Sequence, residues 1–147
     1  MIIVKYPEPD FRLKKEDGKE FIFDTIRKQW IRLTEEEWVR QNFIAYLVRV
    51  LQYPASMIAI EKEITLGDLK KRFDILVYNR SHQPWMLVEC KRQDVPAGDT
   101  VLEQALRYHI SIPAAVIVIT NGDVTFGWRK INGQLVGIDG LPAWGST

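Results

Sequence analysis

The start of the chain alternates short apolar segments with polar turns. Phe11–Leu13 and Phe21–Phe23 flank a polar stretch whose Gly18 can supply the chain reversal, so these two segments predict an opening hairpin. Trp30–Leu33 predicts a third strand after a further polar turn. We therefore expect residues 1–33 to form a small set of N-terminal strands.

The next segment changes to helical spacing. Thr34 is a predicted N-cap because Glu37 follows three residues later, which is the spacing of a capping box. A helix is expected from about Glu35 to about Gln52, since apolar residues recur three and four positions apart at Ile44, Leu47, Val48 and Leu51.

Three strands follow, and the last two carry charges inside apolar segments. Met57–Leu66 ends at a Gly-Asp turn, and Arg72–Tyr78 and Trp85–Lys91 then predict a hairpin. A slip of one residue would exchange the two faces, so the alternation favours one register, which opposes Asp74 to Glu89, Leu76 to Leu87 and Tyr78 to Trp85. The other face carries the predicted core residues Phe73, Ile75, Val77, Met86, Val88 and Cys90.

The rest of the chain predicts one more helix and three more strands. A helix is expected from Thr100 to about Tyr108, and the apolar run Ala115–Thr120 predicts a strand covered on both faces in the middle of a sheet. Val124–Trp128 and Gln134–Ile138 predict a C-terminal hairpin, after which Gly140–Thr147 is expected to be loosely held. The order of elements predicts an α/β fold with a central mixed sheet flanked by helices.

Length and composition narrow the class of protein. At 147 residues we expect a single domain, with N-terminal strands at 1–33, a core at 34–128 and a C-terminal hairpin and tail at 129–147. A net charge of +1 argues against a strongly basic nucleic-acid tail, and a single cysteine excludes an internal disulfide. Because we find neither a secretory signal nor an apolar run near the roughly 20 residues of a membrane span, we expect a cytoplasmic protein without membrane contact.

Asp74, Glu89 and Lys91 are the charges that interrupt the two apolar strands. Charged groups are costly to bury unless they are paired or bind a metal, so this trio is a candidate site. Glu89 and Lys91 share one face of their strand, because strand side chains alternate with period 2. The same acid-x-Lys spacing also occurs in two polar turns, at Asp17 and at Asp68, so only the triplet that ends an apolar strand carries a signal.

Basic residues flank this trio. Lys70, Lys71 and Arg72 precede Asp74, and Arg92 directly follows Lys91. Each group alone would be typical of a solvated surface. The predicted hairpin brings them to the edge that carries the two acids, where a phosphate backbone and its metal ion would meet complementary charge. We therefore predict that these four residues bind nucleic acid.

The element order and the acid pair resemble the PD-(D/E)xK nuclease superfamily, with Asp74 on one strand and Glu89-Cys90-Lys91 on the next. More narrowly, four segments resemble the N-terminal nuclease domain of type I restriction enzyme R subunits, which is found also as short stand-alone proteins: Leu33–Gln41, Lys71–Asp74, Val88–Lys91 and Gln104–Tyr108. The likeness covers roughly residues 24 to 128. It implies a restriction-endonuclease-like αβββαβ core.

The resemblance also implies roles for individual residues. Asp74, Glu89 and Lys91 would be catalytic, and the two acids would bind Mg²⁺, with Mn²⁺ as the alternative ion. Gln104 and Tyr108, four positions apart on one helix face, would accompany the carboxylates.

A further acid on the first helix is expected to complete the metal site. Glu37 is the first choice for this ligand and Glu36 the second. Glu37 could equally serve the capping box of Thr34, and the sequence leaves both roles open.

These features predict metal-dependent phosphodiester hydrolysis by a nuclease related to restriction enzymes, with DNA as the favoured substrate. The alternative is a non-catalytic module that binds nucleic acid or protein on a nuclease fold. The expected partners are DNA and either a second copy of the chain or other subunits of a restriction system. The sequence contains no phosphate-binding loop, so ATP-driven translocation would require another subunit.

Overall fold

The computed structural model describes residues 1–96, Glu103, Leu106 and 112–146. Strands β1 (Leu13–Glu16), β2 (Lys19–Asp24) and β3 (Gln29–Arg32) form a three-stranded antiparallel sheet, as predicted for the start of the chain. The first strand lies later than predicted, because Asp17 and Gly18 alone make the turn. Their φ angles of 51° and 76° suit a two-residue hairpin loop, so the flanking polar residues join the strands.

Helix α1 (Glu35–Ala45) follows the three-stranded sheet. The Oγ1 atom of Thr34 accepts a hydrogen bond from the backbone N–H of Glu37 at 3.0 Å, which confirms the predicted N-cap. The regular α-helix is shorter than predicted, because the chain continues as a π-helical turn (Tyr46–Val50). A 3₁₀ turn (Ala55–Met57) then leads into the main sheet.

The main sheet has six strands, and β7 lies inside it with all five residues buried. Strands β6 and β7 are parallel, whereas the other neighbouring strands are antiparallel, so the sheet is mixed, as predicted. In spatial order the strands are β4 (Ile58–Leu66), β5 (Leu69–Tyr78), β6 (Pro84–Cys90), β7 (Val116–Thr120), β8 (Thr125–Ile131) and β9 (Gln134–Ile138).

A parallel pair of strands needs a crossover connection, usually a helix, between β6 and β7. Of the helix predicted there, Glu103 and Leu106 are described and are helical, while Gln104 and Tyr108 lie outside the described residues. The α/β fold with a mixed central sheet is confirmed, and the division of the chain at residues 33 and 128 stays a prediction. Across the described residues, no helix combines the length and apolar character needed to cross a membrane.

The register of β5 against β6 is largely as predicted. Leu76 lies opposite Leu87, and the neighbouring pairs follow the same register. The predicted partner of Tyr78 is wrong, because an irregularity between Val77 and Tyr78 shifts the register and places Tyr78 opposite Pro84. The extra residue, Trp85, lies in the same core cluster as Met86, so the bulge interrupts the alternation of faces at this point.

Each face of the main sheet carries a buried hydrophobic cluster at β5 and β6, which corrects the prediction of one core face. On the α1 side, five of the six predicted core residues pack with Val39, Phe43 and Leu47 of the helical segment. The sixth, Phe73, lies instead in a second cluster on the other face, together with Leu76, Leu87, Ile112 and Ala114. Strict alternation fails near Phe73, where the neighbouring strand residue Glu61 has a φ of 52°.

The C-terminal segment packs against the main sheet, so the prediction of a loosely held tail is wrong. The indole N–H of Trp144 donates to the carbonyl of Tyr78 at 2.9 Å, and that of Trp85 donates to the carbonyl of Ser146 at 3.1 Å. Indole N–H groups that are shielded from water need acceptors. The tail accepts the hydrogen bond of Trp85 and donates one through Trp144, so it is fixed against the main sheet.

Candidate active site

Asp74 of β5 and Glu89 of β6 meet on neighbouring strands close to the end of β6. The backbone N–H of Cys90 donates to Oδ2 of Asp74 at 2.8 Å, which fixes this carboxylate against the strand that carries Glu89. The two acids interact electrostatically, since the charge of Asp74 raises the pKa of Glu89. The structure therefore brings together the acid pair that the sequence predicted.

Glu89 has a raised pKa in this site. Burial first, and then the negative charge of Asp74, raise the pKa of Glu89 to about 7. The positive charges of Lys91 and Lys71 act in the opposite direction without outweighing these effects. The Nζ atom of Lys91 lies 3.8 Å from Oε1 of Glu89, as expected for two residues on one strand face. The two lysines therefore offset only part of the effect that burial and Asp74 have on the pKa of Glu89.

Arg40 of α1 reaches into the site from the helix. Its Nη2 donates to Oδ1 of Asp74 at 2.8 Å, and its Nη1 donates to Oε1 of Glu37 at 2.6 Å. Burial lowers the pKa of the guanidinium, but the hydrogen bond to Asp74 and the charges of Glu37 and Asp74 raise that pKa above its ordinary value. Arg40 is therefore charged at any physiological pH and holds Asp74 in one orientation.

The contacts of Arg40 continue away from the site as a buried chain of charges. Glu37 also accepts from Arg27 at 2.9 Å and from Gln41 at 3.1 Å. Asp24, at the end of β2, accepts from Arg27 at 2.6 Å and from Gln41 at 2.9 Å. We call this set the arginine network, and its members are Asp24, Arg27, Glu37, Arg40, Gln41 and Asp74.

Glu37 fulfils only part of the capping-box role, which the sequence left open beside metal binding. Its backbone N–H is capped by Thr34, but its carboxylate bonds to Arg27, Arg40 and Gln41 rather than reaching back to the cap. Glu36 is more exposed, at 44% of its side chain, and Nη2 of Arg40 lies 3.3 Å from it. Metal binding by either residue stays a prediction.

The carboxylates of Asp74 and Glu89 are the oxygen donors that a metal ion would meet in this site. Within the described residues, no three or more His, Cys, Asp or Glu side chains form a group that could hold a metal by themselves. Mg²⁺ does not require such a group, because it keeps several waters and binds through one or two carboxylates together with substrate phosphates. A divalent cation would favour the ionised form of Glu89, whose pKa is raised by burial and by the charge of Asp74, so these two carboxylates fit this ion.

The predicted nucleic-acid-binding residues lie around these acids. Lys70 and Arg72 are exposed on β5, Lys71 acts electrostatically on Glu89, and Arg92 forms a 3.3 Å ion pair with Asp94. Arg92 also lines a cleft of about 620 Å³ next to the arginine network, which we call the site cleft. Its other lining residues include Arg27, Arg32, Glu36, Arg40 and Glu61.

A family described as type I restriction enzyme R protein N terminus matches residues 35–142 of the chain. The chain belongs to this family. The matched segment begins with α1 and includes Asp74, Glu89 and Lys91. It confirms the resemblance that these residues predicted, and it supports a nuclease-like function with nucleic acid as the partner.

A solved structure is also similar to this member of the restriction-enzyme family. It is a candidate nuclease belonging to DUF820 from Anabaena variabilis ATCC 29413, with a TM-score of 0.50 and 14% sequence identity. The likeness covers 90% of this chain and 79% of that chain, and it supports the nuclease-like fold. No curated protein matches the sequence.

Proposed function

We propose that the chain is a metal-dependent nuclease that hydrolyses phosphodiester bonds in DNA. One observation carries the proposal: in a member of the restriction-enzyme R protein family, Asp74 and Glu89 lie on adjacent strands, where burial and then the charge of Asp74 raise the pKa of Glu89 to about 7. A protein gains no stability from such a pair, so its placement favours a role in binding a cation.

Each side chain then has a distinct task. Asp74 and Glu89 would hold Mg²⁺, or Mn²⁺ as the alternative, through their oxygens. The bound ion would polarise the phosphate and lower the pKa of a water molecule. Arg40 keeps Asp74 oriented through the 2.8 Å hydrogen bond. Lys91, beside Glu89, would orient the attacking water or offset the negative charge that develops on the phosphate.

Other residues would position the substrate. Gln104 and Tyr108 are proposed to help place DNA or Lys91. The exposed residues Lys70, Arg72 and Arg92, together with Lys71, would contact the phosphate backbone on either side of the cleavage point.

Lys91→Ala tests the proposal directly. We expect circular and linear DNA to be cleaved in Mg²⁺ or Mn²⁺ and not in a chelator, and we expect the variant to lose about a hundredfold or more in rate. RNA in the same assay tests the choice of DNA. Cleavage is followed on gels over time with purified protein.

Lys15→Ala is the matched control, because it removes an exposed lysine on β1, in the three-stranded sheet. The control should cleave at the wild-type rate, and circular dichroism should show both variants folded. Full activity in Lys91→Ala would remove this lysine from the mechanism. Absence of cleavage under every metal condition would overturn the nuclease proposal.

A second candidate function is a binding module without catalysis, and one observation favours it. Arg40 already provides Asp74 with a cationic partner, so the acid does not depend on a metal for charge balance. Calorimetry separates the two functions: the nuclease should bind Mg²⁺, and Asp74→Asn should abolish the heat of binding. The module should show no binding of Mg²⁺ in either form.

We also propose that the chain acts together with other proteins, either subunits of a restriction system or a second copy of itself. The family it belongs to is named after one protein of a restriction enzyme, which supports such an assembly. Sedimentation of the chain alone and with DNA distinguishes a monomer from a dimer. A monomer in both conditions would leave association with other subunits as the remaining form of the proposal.

A further inference from the structure

One face of the three-stranded sheet carries aromatic rings and cations in alternation. Lys14 lies opposite Phe21 in the register, and Phe21 lies opposite Arg32 on the other side. Phe23 lies opposite Trp30, with the rings 5.3 Å apart in an edge-to-face arrangement. We call this surface the aromatic face, and its members are Arg12, Lys14, Phe21, Phe23, Trp30 and Arg32.

The cations of the aromatic face lie over its rings. The guanidinium carbon of Arg12 is 4.9 Å from the ring centroid of Phe23 and 5.4 Å from that of Trp30. The Nζ atom of Lys14 is 4.5 Å from the ring centroid of Trp30 and 5.9 Å from that of Phe21. These distances are within the range of cation–π attraction, so rings and charges form one connected surface.

The aromatic face points away from the core. Successive strand residues alternate between faces, and Ile22 and Asp24 on the opposite face are fully buried. The three rings of the aromatic face are only half-buried, and Arg12 and Arg32 are exposed. Isolated exposed aromatics are common, but three adjacent rings interleaved with cations are typical of surfaces that stack nucleic-acid bases and hold phosphates.

The aromatic face continues into the site cleft. Arg32 belongs to both surfaces, since it lies at the end of β3 beside Phe21 and also lines the cleft with Arg92 and Arg40. Arg40, which lines the cleft, donates a hydrogen bond to Asp74 of the candidate active site. The sheet lies outside the segment matched by the restriction-enzyme family, which begins at residue 35, so the aromatic face is an addition to the matched part of the chain.

We propose that the aromatic face binds a single-stranded segment of nucleic acid and leads it into the site cleft. Bases would stack on Phe21, Phe23 and Trp30, while phosphates would be neutralised by Arg12, Lys14 and Arg32. Single strands are the fitting form of this ligand, because their bases can turn outward onto flat rings, whereas duplex bases are stacked on each other. This binding requires no metal and goes beyond the proposed hydrolysis.

The local ion pair does not remove the charge that the proposal uses. Lys14 lies 3.6 Å from Glu16, but the Glu16 side chain is 62% exposed. Such a surface pair contributes little free energy and can exchange for a phosphate contact. An acidic peptide is the other ligand that cations would attract, but its carboxylates would gain nothing from the three rings.

The proposal is tested by fluorescence anisotropy with a labelled oligothymidine of about ten nucleotides, in a chelator so that no cleavage occurs. Trp30→Leu should weaken binding about tenfold and leave the salt dependence unchanged, because stacking releases no counterions. Lys14→Gln should weaken binding and lower the slope of log K against log salt by about 0.7.

Two matched variants serve as controls. Lys15→Gln removes the same charge from the next residue of β1, on the opposite face, and should bind as the wild type does. Trp30→Phe keeps a ring at the same position and should restore most of the affinity lost in Trp30→Leu. Thermal unfolding of each variant shows whether the sheet remains folded.

Equal affinities of the Lys14→Gln and Lys15→Gln variants would overturn the proposal, even if Trp30→Leu failed to fold. Displacement of the oligothymidine by polyglutamate of equal charge, or equal affinity for duplex DNA, would also overturn it. None of these results depends on cleavage. Loss of binding at this face with intact Mg²⁺-dependent cleavage would therefore reject this proposal alone, and retained binding without cleavage would reject only the nuclease.

Discussion

Two groups of charges meet at Asp74, and they differ in how well they are compensated. In the arginine network, every acid is hydrogen-bonded to an arginine at 2.6 to 2.9 Å. On the other side, Glu89 has Lys91 at 3.8 Å, and its pKa is raised to about 7. The acids of the arginine network are therefore stabilised in their ionised form by arginines. The ionised form of Glu89 is less favourable, as its raised pKa shows.

Burial explains why the loss of a charge should affect stability differently in the arginine network and at Glu89. The side chains of Arg40, Glu37 and Asp24 are 5%, 4% and 0% exposed, and charges at such depth are tolerated only when they are paired. Lys91 is 38% exposed, so water screens its attraction to Glu89. Removing a charge should therefore destabilise the network side and stabilise the Glu89 side.

The largest effect is expected for Arg40→Met. This variant leaves the buried Glu37 and the carboxylate of Asp74 without their shared cation, and the loss of one partner from a buried ion pair costs about 3–5 kcal/mol. The free energy of unfolding should fall by this amount in urea denaturation at neutral pH.

Arg49→Met is the control for Arg40→Met. Arg49 is exposed beyond the end of α1 and bonds through Nη1 to the carbonyl of Glu8 at 3.0 Å. Its replacement should change the free energy of unfolding by less than about 0.5 kcal/mol. Similar losses in both variants would mean that the network stabilises the protein no more than a surface arginine does.

The next effect in size is the pH dependence of stability due to Glu89. Its pKa is about 7 in the folded protein and 4.5 in the unfolded chain, so the folded state binds the extra proton between these values. In a chelator, the free energy of unfolding should therefore fall as pH rises from about 4.5 to about 7, by about 3 kcal/mol, and stay low above that range.

Glu89→Gln should remove this pH dependence. At pH 4 the variant and the wild type should be equally stable, whereas at pH 8 the variant should be the more stable protein. Glu63→Gln removes an exposed acid on β4, two strands away from β6, and should keep the wild-type slope. A parallel pH profile for Glu89→Gln and the wild type would show that Glu89 is compensated after all.

The pairing of strands in the main sheet was predictable because alternation is a local property of the sequence. Period-2 alternation specifies the pairing of Leu76 with Leu87, since a slip would turn apolar residues to the wrong face. The partner of Tyr78 was missed, because a bulge inserts one extra residue, here Trp85, which an assumption of strict alternation does not anticipate. The tail was missed because Trp144 donates to a residue that is distant in the chain.

The contacts of the candidate site also fall into those that a local pattern predicts and those that depend on tertiary packing. Asp74 and Glu89 lie on consecutive strands, so their adjacency follows from the hairpin register alone, while their catalytic roles stay predictions. The arginine network joins the end of β2 to α1 and β5 through tertiary packing. The bond between Asp24 and Arg27 is local, but no local pattern encodes the bonds of these two residues to α1. The only available signal was the spacing of Glu37, Arg40 and Gln41, three and four positions apart on one helix face.

The smallest expected effect concerns an exposed acid that pairs with the same arginine as a buried acid. Glu61 lies 3.4 Å from Nη2 of Arg40 but is 42% exposed, whereas Glu37 pairs with the same guanidinium at 2.6 Å and is 4% exposed. Glu61→Gln should change the free energy of unfolding in urea by less than about 0.5 kcal/mol, because an exposed pair is screened. Glu37→Gln, measured in parallel, should cost several times more. Glutamine keeps the side-chain length at Glu61, where the φ of 52° would confound a change of backbone preference. Since the guanidinium is common to both pairs, equal losses would show that contact with Arg40, rather than burial, sets the contribution of each acid.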